Sequence, residues 1–157
     1  MNAIAPFFFP FMGTEGANLS KEKPAEAATY PYPVLMTYAD REVDLVYNMT
    51  KAMVDAFGDF KDGAPGNSGW DAKRQNFAWV VPYHDGAIKY WKEAGLWKPE
   101  HQAHNDKLIE RQKVLATTWA EVSKGTYADD NAFKDAWAKA RAAALTKAGF
   151  DPVLTSW

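Results

Sequence analysis

The chain has 157 residues, which is enough for one domain with its own core, and its 47% hydrophobic and 24% charged residues are typical of a globular protein. A net charge of -2 argues against nucleic-acid binding, because nucleic-acid-binding domains normally carry a basic stripe. Cysteine is absent, so disulfides and thiolate chemistry are excluded. The 7 tryptophans indicate either an aromatic core or an aromatic surface that contacts a partner.

An apolar run, Phe7-Phe8-Phe9-Pro10-Phe11, stands near the start. It is too short to cross a bilayer, and it lacks the basic region and cleavage site of a signal peptide. We expect a buried strand or an edge segment broken by Pro10. The alternative is an interface, formed by Phe7, Phe8, Phe9 and Phe11, that lies against a missing partner or a membrane surface.

Residues 13–30 are polar and predict a loop. Pro31 and Pro33 keep the next stretch extended, and Val34 to Tyr38 predicts a short strand that is apolar enough to be buried on both faces. A lone strand leaves its backbone groups without ladder partners. We therefore expect the partner strand to come from the N-terminal run or from a missing segment, which indicates that the chain is incomplete.

Asp40 is the predicted cap of an amphipathic helix of about four turns, which Gly58 would end. A turn-rich loop follows over 61–69, and residues 70–81 predict a short helix with an extended exit. In the next stretch Asp85 is the predicted cap of a short helix. Its apolar face carries Ala87, Ile88 and Trp91.

Gly95 is expected to end this short helix in the left-handed conformation, with Leu96 folded back onto it. Pro99 suits the first position of a long helix that reaches Val122. Asp129 or Asp130 would start a last helix, which Gly149 ends. Each of the last two helices carries an apolar stripe, so each is expected to pack against a partner along one side.

No residue constellation in the sequence indicates catalysis. His101 and His104 share a helix face, but no third strong metal ligand converges on them, so a polar first turn is favoured over a metal site. His84 has no nucleophile beside it, and we expect it to order a turn or to form a hydrogen bond across an interface. We expect no catalytic residue, no metal and no cofactor.

Three motifs follow one another: YPYPVLMT at 30–37, DLVYNMTKAM at 44–53 and VPYHDGAIKYWKEAG at 81–95. In this order and spacing they resemble the C-terminal portion of the TAXI family, the solute-binding subunits of TRAP transporters, over about residues 7–122. The matching positions are expected to be structural, and no ligand-binding residue is carried over. These structural positions are Pro31, Pro33, Pro82, Tyr83, His84, Asp85, Gly86 and Gly95.

The resemblance implies an α-rich C-terminal portion of an α/β, type II periplasmic-binding-protein fold, with mostly helices and one or two short strands. It divides the chain into an N-terminal segment and hinge-like strand (1–39), a helical body (40–125) and a C-terminal extension (126–157). It also implies a periplasmic protein that hands a small organic solute to a membrane transporter subunit. The receptor's N-terminal portion, with its secretion signal and most of the ligand cleft, is expected to be missing.

Two functions from different classes follow. The first is a non-catalytic part of a solute receptor, which binds solute only together with its missing portion. The alternative is a truncated receptor-like chain reused as an accessory or structural subunit of a larger, membrane-bound complex. The aromatic richness, the phenylalanine run and the added last helix suit the second reading, because all of them suit protein–protein contact.

Overall fold

The computed structural model describes residues 7–14, 16–31, 34–64, 66–153 and 155, and it is mostly helical. Two short strands, β1 (Phe9–Gly13) and β2 (Ala25–Thr29), precede helices α1 (Val43–Asp55) and α2 (Phe57–Phe60). Two short 3-10 helices, Asn67–Trp70 and Ala72–Arg74, lead to α3 (Asp85–Glu93), α4 (Pro99–Val122) and α5 (Asp130–Lys147). The predicted α-rich class with few strands is confirmed.

The chain forms two compact units, one built from residues 1–29 with 107–157 and one from residues 30–106. The three-part division by family resemblance stays a prediction.

In the first unit, β1 and β2 pair antiparallel, with Phe11 opposite Ala27. The N-terminal run therefore forms a strand, as predicted. The strand is not buried, because both strands of a two-stranded sheet are edge strands and Phe11 is exposed. Pro10 lies inside β1, where an edge position tolerates its missing N–H. The loop predicted over 13–30 is wrong at Ala25–Thr29, because pairing with β1 overrides the weak strand propensity of its alanines.

In the first unit, the part of α4 from residue 107 onward meets α5 through aromatic side chains. Trp119 lies edge-on to Trp137, with ring centroids 5.0 Å apart, and also contacts Phe133. The Tyr127 hydroxyl donates a hydrogen bond to the Val122 carbonyl at 2.7 Å, in the turn that follows α4. The predicted stripes are thus confirmed where these aromatic members meet, and packing along the rest of each stripe stays a prediction.

The observed helix ends agree with some of the predicted caps and differ from others. Asp129 caps α5 by accepting the Ala132 N–H at 2.8 Å, as predicted. Gly149 takes a φ of 80° after that helix, and Pro99 begins α4. The prediction for α1 was wrong at both ends. The helix starts after Glu42 rather than Asp40, because a turn closed by the Arg41 N–H comes first, and it ends at Asp55, before Gly58.

Candidate functional site

The second unit is organised around α3, which lies directly against α1. Gly86 is buried at this contact, and a Cβ there would overlap the Val43 carbonyl and lie only 2.8 Å from the Tyr47 N and 2.9 Å from the Val46 Cβ. Only a residue without a side chain allows the two backbones to approach so closely. The glycine of the third sequence motif therefore sets the distance between the helices.

His84, not Asp85, caps α3, so the predicted cap is displaced by one residue. The His84 Nδ1 accepts the Gly86 N–H at 3.0 Å, while its Nε2 lies 3.1 Å from the Arg41 carbonyl oxygen. Both bonds are satisfied by one neutral tautomer, in which Nε2 carries the proton. The ring thus fixes the helix start and ties it to the turn before α1, which agrees with the predicted turn-ordering role.

The C-terminal end of α3 has the predicted geometry. Gly95 has a φ of 71°, and its N–H donates to the Lys92 carbonyl while the Leu96 N–H donates to the Trp91 carbonyl. This pair of bonds is a Schellman motif, which satisfies carbonyls that the helix itself leaves free. Leu96 packs against the core of this unit, as expected.

The core beneath α3 is a cluster of aromatic side chains. Phe77, Trp91 and Trp97 are buried together with Ile88, and the rings of Phe77 and Trp91 lie edge-on at 5.3 Å. The predicted apolar face of α3 is confirmed, since Ile88 and Trp91 are buried and the half-buried Ala87 packs against the same core. These tryptophans are therefore a packing core, which accounts for part of the aromatic richness.

Residues 99–106 of α4 belong to this unit, and Asn105 connects them to Tyr83. Asn105 is 2% exposed, and its Oδ1 accepts the Tyr83 N–H at 2.7 Å. Burial raises the pKa of Tyr83 from its ordinary 10.0 to about 12, because the phenolate would lose its hydration. The neighbouring His104 ring is bonded to the Trp79 carbonyl at 2.6 Å. These polar groups hold the loop before α3 in place.

An apolar groove of about 440 Å³ lies in this unit. One wall is α1, the second is the segment 34–37, and the third is the stretch that enters α3. Its aliphatic and methionine side chains are in large part open to solvent. They include Val34, Leu35, Met36, Leu45 and Met49.

No lysine, arginine, aspartate or glutamate lies among the described residues that line the groove. Its polar members are few, and several are already engaged: Thr50 donates to the Val46 carbonyl, Asn76 accepts the Ala78 N–H, and the two His84 bonds are given above. A small anionic or zwitterionic solute needs a charged or fully donating partner when it leaves water. The groove is therefore suited to an apolar surface rather than to such a solute.

The predicted buried strand at Val34 to Tyr38 is wrong. The structure assigns no strand there, and Met36 is 70% exposed and Tyr38 74% exposed. The physical reason is that the described part of the chain offers the segment no ladder partner, since β1 pairs with β2 instead.

The remaining predicted site residues are distributed over both units. Pro31 and Pro82 line the groove, whereas Pro33 lies outside the described residues. Asp85 is the exposed first residue of α3. Among the proposed interface phenylalanines, Phe7, Phe8 and Phe9 are half-buried and Phe11 is exposed.

His101 stacks beside Phe77 at 5.0 Å, and its Nδ1 accepts the Lys98 N–H. With His104 bonded to a carbonyl, both histidines have structural partners. Within the described ranges, no cluster of three or more potential metal ligands is found.

Sequence reasoning missed the groove itself. Leu45 and Met49 are one helical turn apart on α1 and continue to Met53, beside the stripe that packs on α3. The sequence signal that could have indicated the groove is the width of the apolar arc on α1. This arc is wider than the surface that one packed helix covers. Asn105 carried no signal, since nothing in the sequence distinguishes a buried asparagine from an exposed one.

The second unit thus combines a close helix pair, spaced by Gly86, with a groove whose described lining is uncharged. Residues 1–95 match the NMT1-like family, so the chain belongs to this family, which is periplasmic-binding-like and related to solute-binding proteins. The match ends at residue 95, two residues after the end of α3. No curated protein and no solved structure matches the chain. None of the described helices is long and apolar enough to cross a membrane.

Proposed function

We propose that the chain is the non-catalytic C-terminal part of a periplasmic solute-binding subunit of the TRAP type, and that its groove docks the remaining part of the receptor. The observation that carries the proposal is the exposure of contiguous apolar side chains around the groove, with Leu45 57% and Leu35 55% exposed. Exposed apolar clusters of this kind mark contact surfaces. The family membership and the three TAXI-like motifs support the same reading.

Solute binding is assigned to the assembled receptor and not to this chain alone. A cleft that closes on a small polar solute needs convergent polar or charged groups from both of its walls. The described lining of the groove offers no charged side chain, so the charged partner of an amino acid or organic acid would come from the other part.

The test is fragment complementation, with the N-terminal portion of a full-length TAXI receptor mixed with this chain. We expect the two parts to associate and a solute of that receptor to raise the Tm of the mixture but of neither part alone. A variant with Leu45→Glu and Met49→Glu tests whether the groove is the docking surface. Both side chains are exposed, so their change leaves the core intact. Association that is unaffected by this variant would exclude the groove as the docking surface.

A second candidate function is an accessory subunit of a larger, membrane-bound assembly. It is favoured by the exposed apolar residues Phe11 and Met12 on β1, and by α4 and α5, which lie beyond the family match. The native mass of the chain isolated from its source in mild detergent separates the candidates. A mass near the chain's own 17.6 kDa, or that of one added partner, favours the receptor.

A further inference from the structure

The segment Val34 to Tyr38 combines three features that do not normally coexist. Its sequence favours a β-strand, since it is rich in β-branched, aromatic and large apolar residues. Its backbone from Val34 to Thr37 makes no hydrogen bond among the described residues. Its side chains are exposed rather than buried. A strand-forming sequence with free backbone donors and acceptors is a template for pairing.

The segment is also held at its C-terminal end. The Arg41 N–H donates to the Tyr38 carbonyl at 3.3 Å, and the Arg41 carbonyl is bonded to His84 at the start of α3. A segment fixed at its end loses less conformational freedom when a partner pairs with it.

We propose that Val34 to Tyr38 accepts an added β-strand from a second polypeptide, whose apolar side chains enter the groove. An extended strand is favoured over a helix as the occupant because only a strand supplies main-chain donors and acceptors in a ladder alongside this segment. The uncharged lining requires that its inward side chains are uncharged. The inference rests on the proposed function, since the strand belongs to the remaining part of the receptor.

The probe is a terminally blocked peptide of about six residues that alternates valine and threonine, a length typical of a strand. Amide hydrogen exchange of the full chain is measured with and without it. We expect slower exchange at 34–38 when the peptide is present, and no such effect from the same peptide N-methylated at every second residue. Equal effects of the two peptides, or none, would overturn strand addition.

Two proline variants, Leu35→Pro and Met36→Pro, test the ladder directly. Successive residues of a strand direct their N–H groups to opposite edges, so only one of the two amides faces the added strand. Each variant is compared with alanine at the same position, and both are expected to fold, because neither amide is bonded in the chain alone. We expect one proline to weaken peptide binding roughly tenfold and the other to change it little. Equal losses from both would contradict the ladder.

The outcomes separate this inference from the proposed function. Complementation by a receptor portion that protects Leu45 and Met49 from exchange, but not 34–38, would overturn strand addition and leave the receptor assignment standing. Conversely, the peptide could bind with the expected proline asymmetry while a solute leaves the Tm of the reconstituted mixture unchanged. That result would overturn the receptor assignment instead.

Discussion

Replacing Gly86 by alanine should destabilise the second unit, because the added methyl group has no space at the contact with α1. The added Cβ would overlap the Val43 carbonyl and stand 2.8 Å from the Tyr47 N and 2.9 Å from the Val46 Cβ. Two of these three neighbours are backbone atoms of α1, so no rotamer change can relieve the contact. Relief requires that the helices separate by roughly 0.5–1 Å, which loosens the packing along their shared face.

Overpacking of this kind costs roughly 1–3 kcal/mol, and the better helix propensity of alanine returns about 1 kcal/mol of it at most. We therefore expect a net loss of about 1–2 kcal/mol in the free energy of unfolding. With an m-value of about 1–2 kcal/mol/M, this moves the urea midpoint down by roughly 1 M. The assay is urea unfolding followed by the fluorescence of the buried Trp91 and Trp97.

Gly58 provides the matched control. It lies in α2 with no atom within 4 Å of a Cβ placed there, so Gly58→Ala should be neutral or slightly stabilising. If Gly86→Ala is as stable as the parent chain, or behaves like Gly58→Ala, the close contact between α1 and α3 is refuted.

Three further predictions use the same unfolding assay. The His84→Ala variant should lose about 1–2 kcal/mol in the free energy of unfolding, whereas His84→Asn should recover part of this loss by capping α3. Equal losses in the two variants would show that the cap contributes nothing to stability. Asn105→Ala should cost roughly 1–3 kcal/mol because the Tyr83 N–H is left without its acceptor, and a neutral result would place that N–H in contact with water. Tyr83 has a folded pKa of about 12 against an ordinary 10.0, so stability should fall as pH rises from about 10 to about 12, where the unfolded chain loses the proton first. Tyr83→Phe should reduce this slope but not remove it, because the hydrogen bond to Glu93 raises the pKa of Tyr47 and burial raises that of Tyr90. An unchanged slope in the variant would assign it to those two groups.

Local signals in the sequence were sufficient for the elements that depend on neighbours along the chain. The end of α3 at Gly95 and the start of α5 at Asp129 follow from backbone groups that only a few residues can satisfy. The cap of α3 was displaced because histidine is a rare cap, and its role depends on the Arg41 carbonyl, which lies 43 residues earlier.

Strand pairing could not be predicted in the same way. Ala25–Thr29 becomes a strand because β1 is available to it, whereas Val34 to Tyr38 has the stronger strand sequence and no partner. A strand needs a second segment, and the choice between segments is made by the tertiary structure. The same limit applied to the groove, since the apolar width of α1 is visible in the sequence but the surface it faces is not.

The receptor assignment is tested most directly by the Tm of this chain mixed with the N-terminal portion of a TAXI receptor, with and without a solute of that receptor. We expect the solute to raise the Tm of the mixture and to leave that of this chain alone unchanged. We also expect the Leu45→Glu, Met49→Glu variant to abolish the effect. A solute that raises the Tm of this chain by itself would exclude the assignment, because the solute site would then be complete without the docked part.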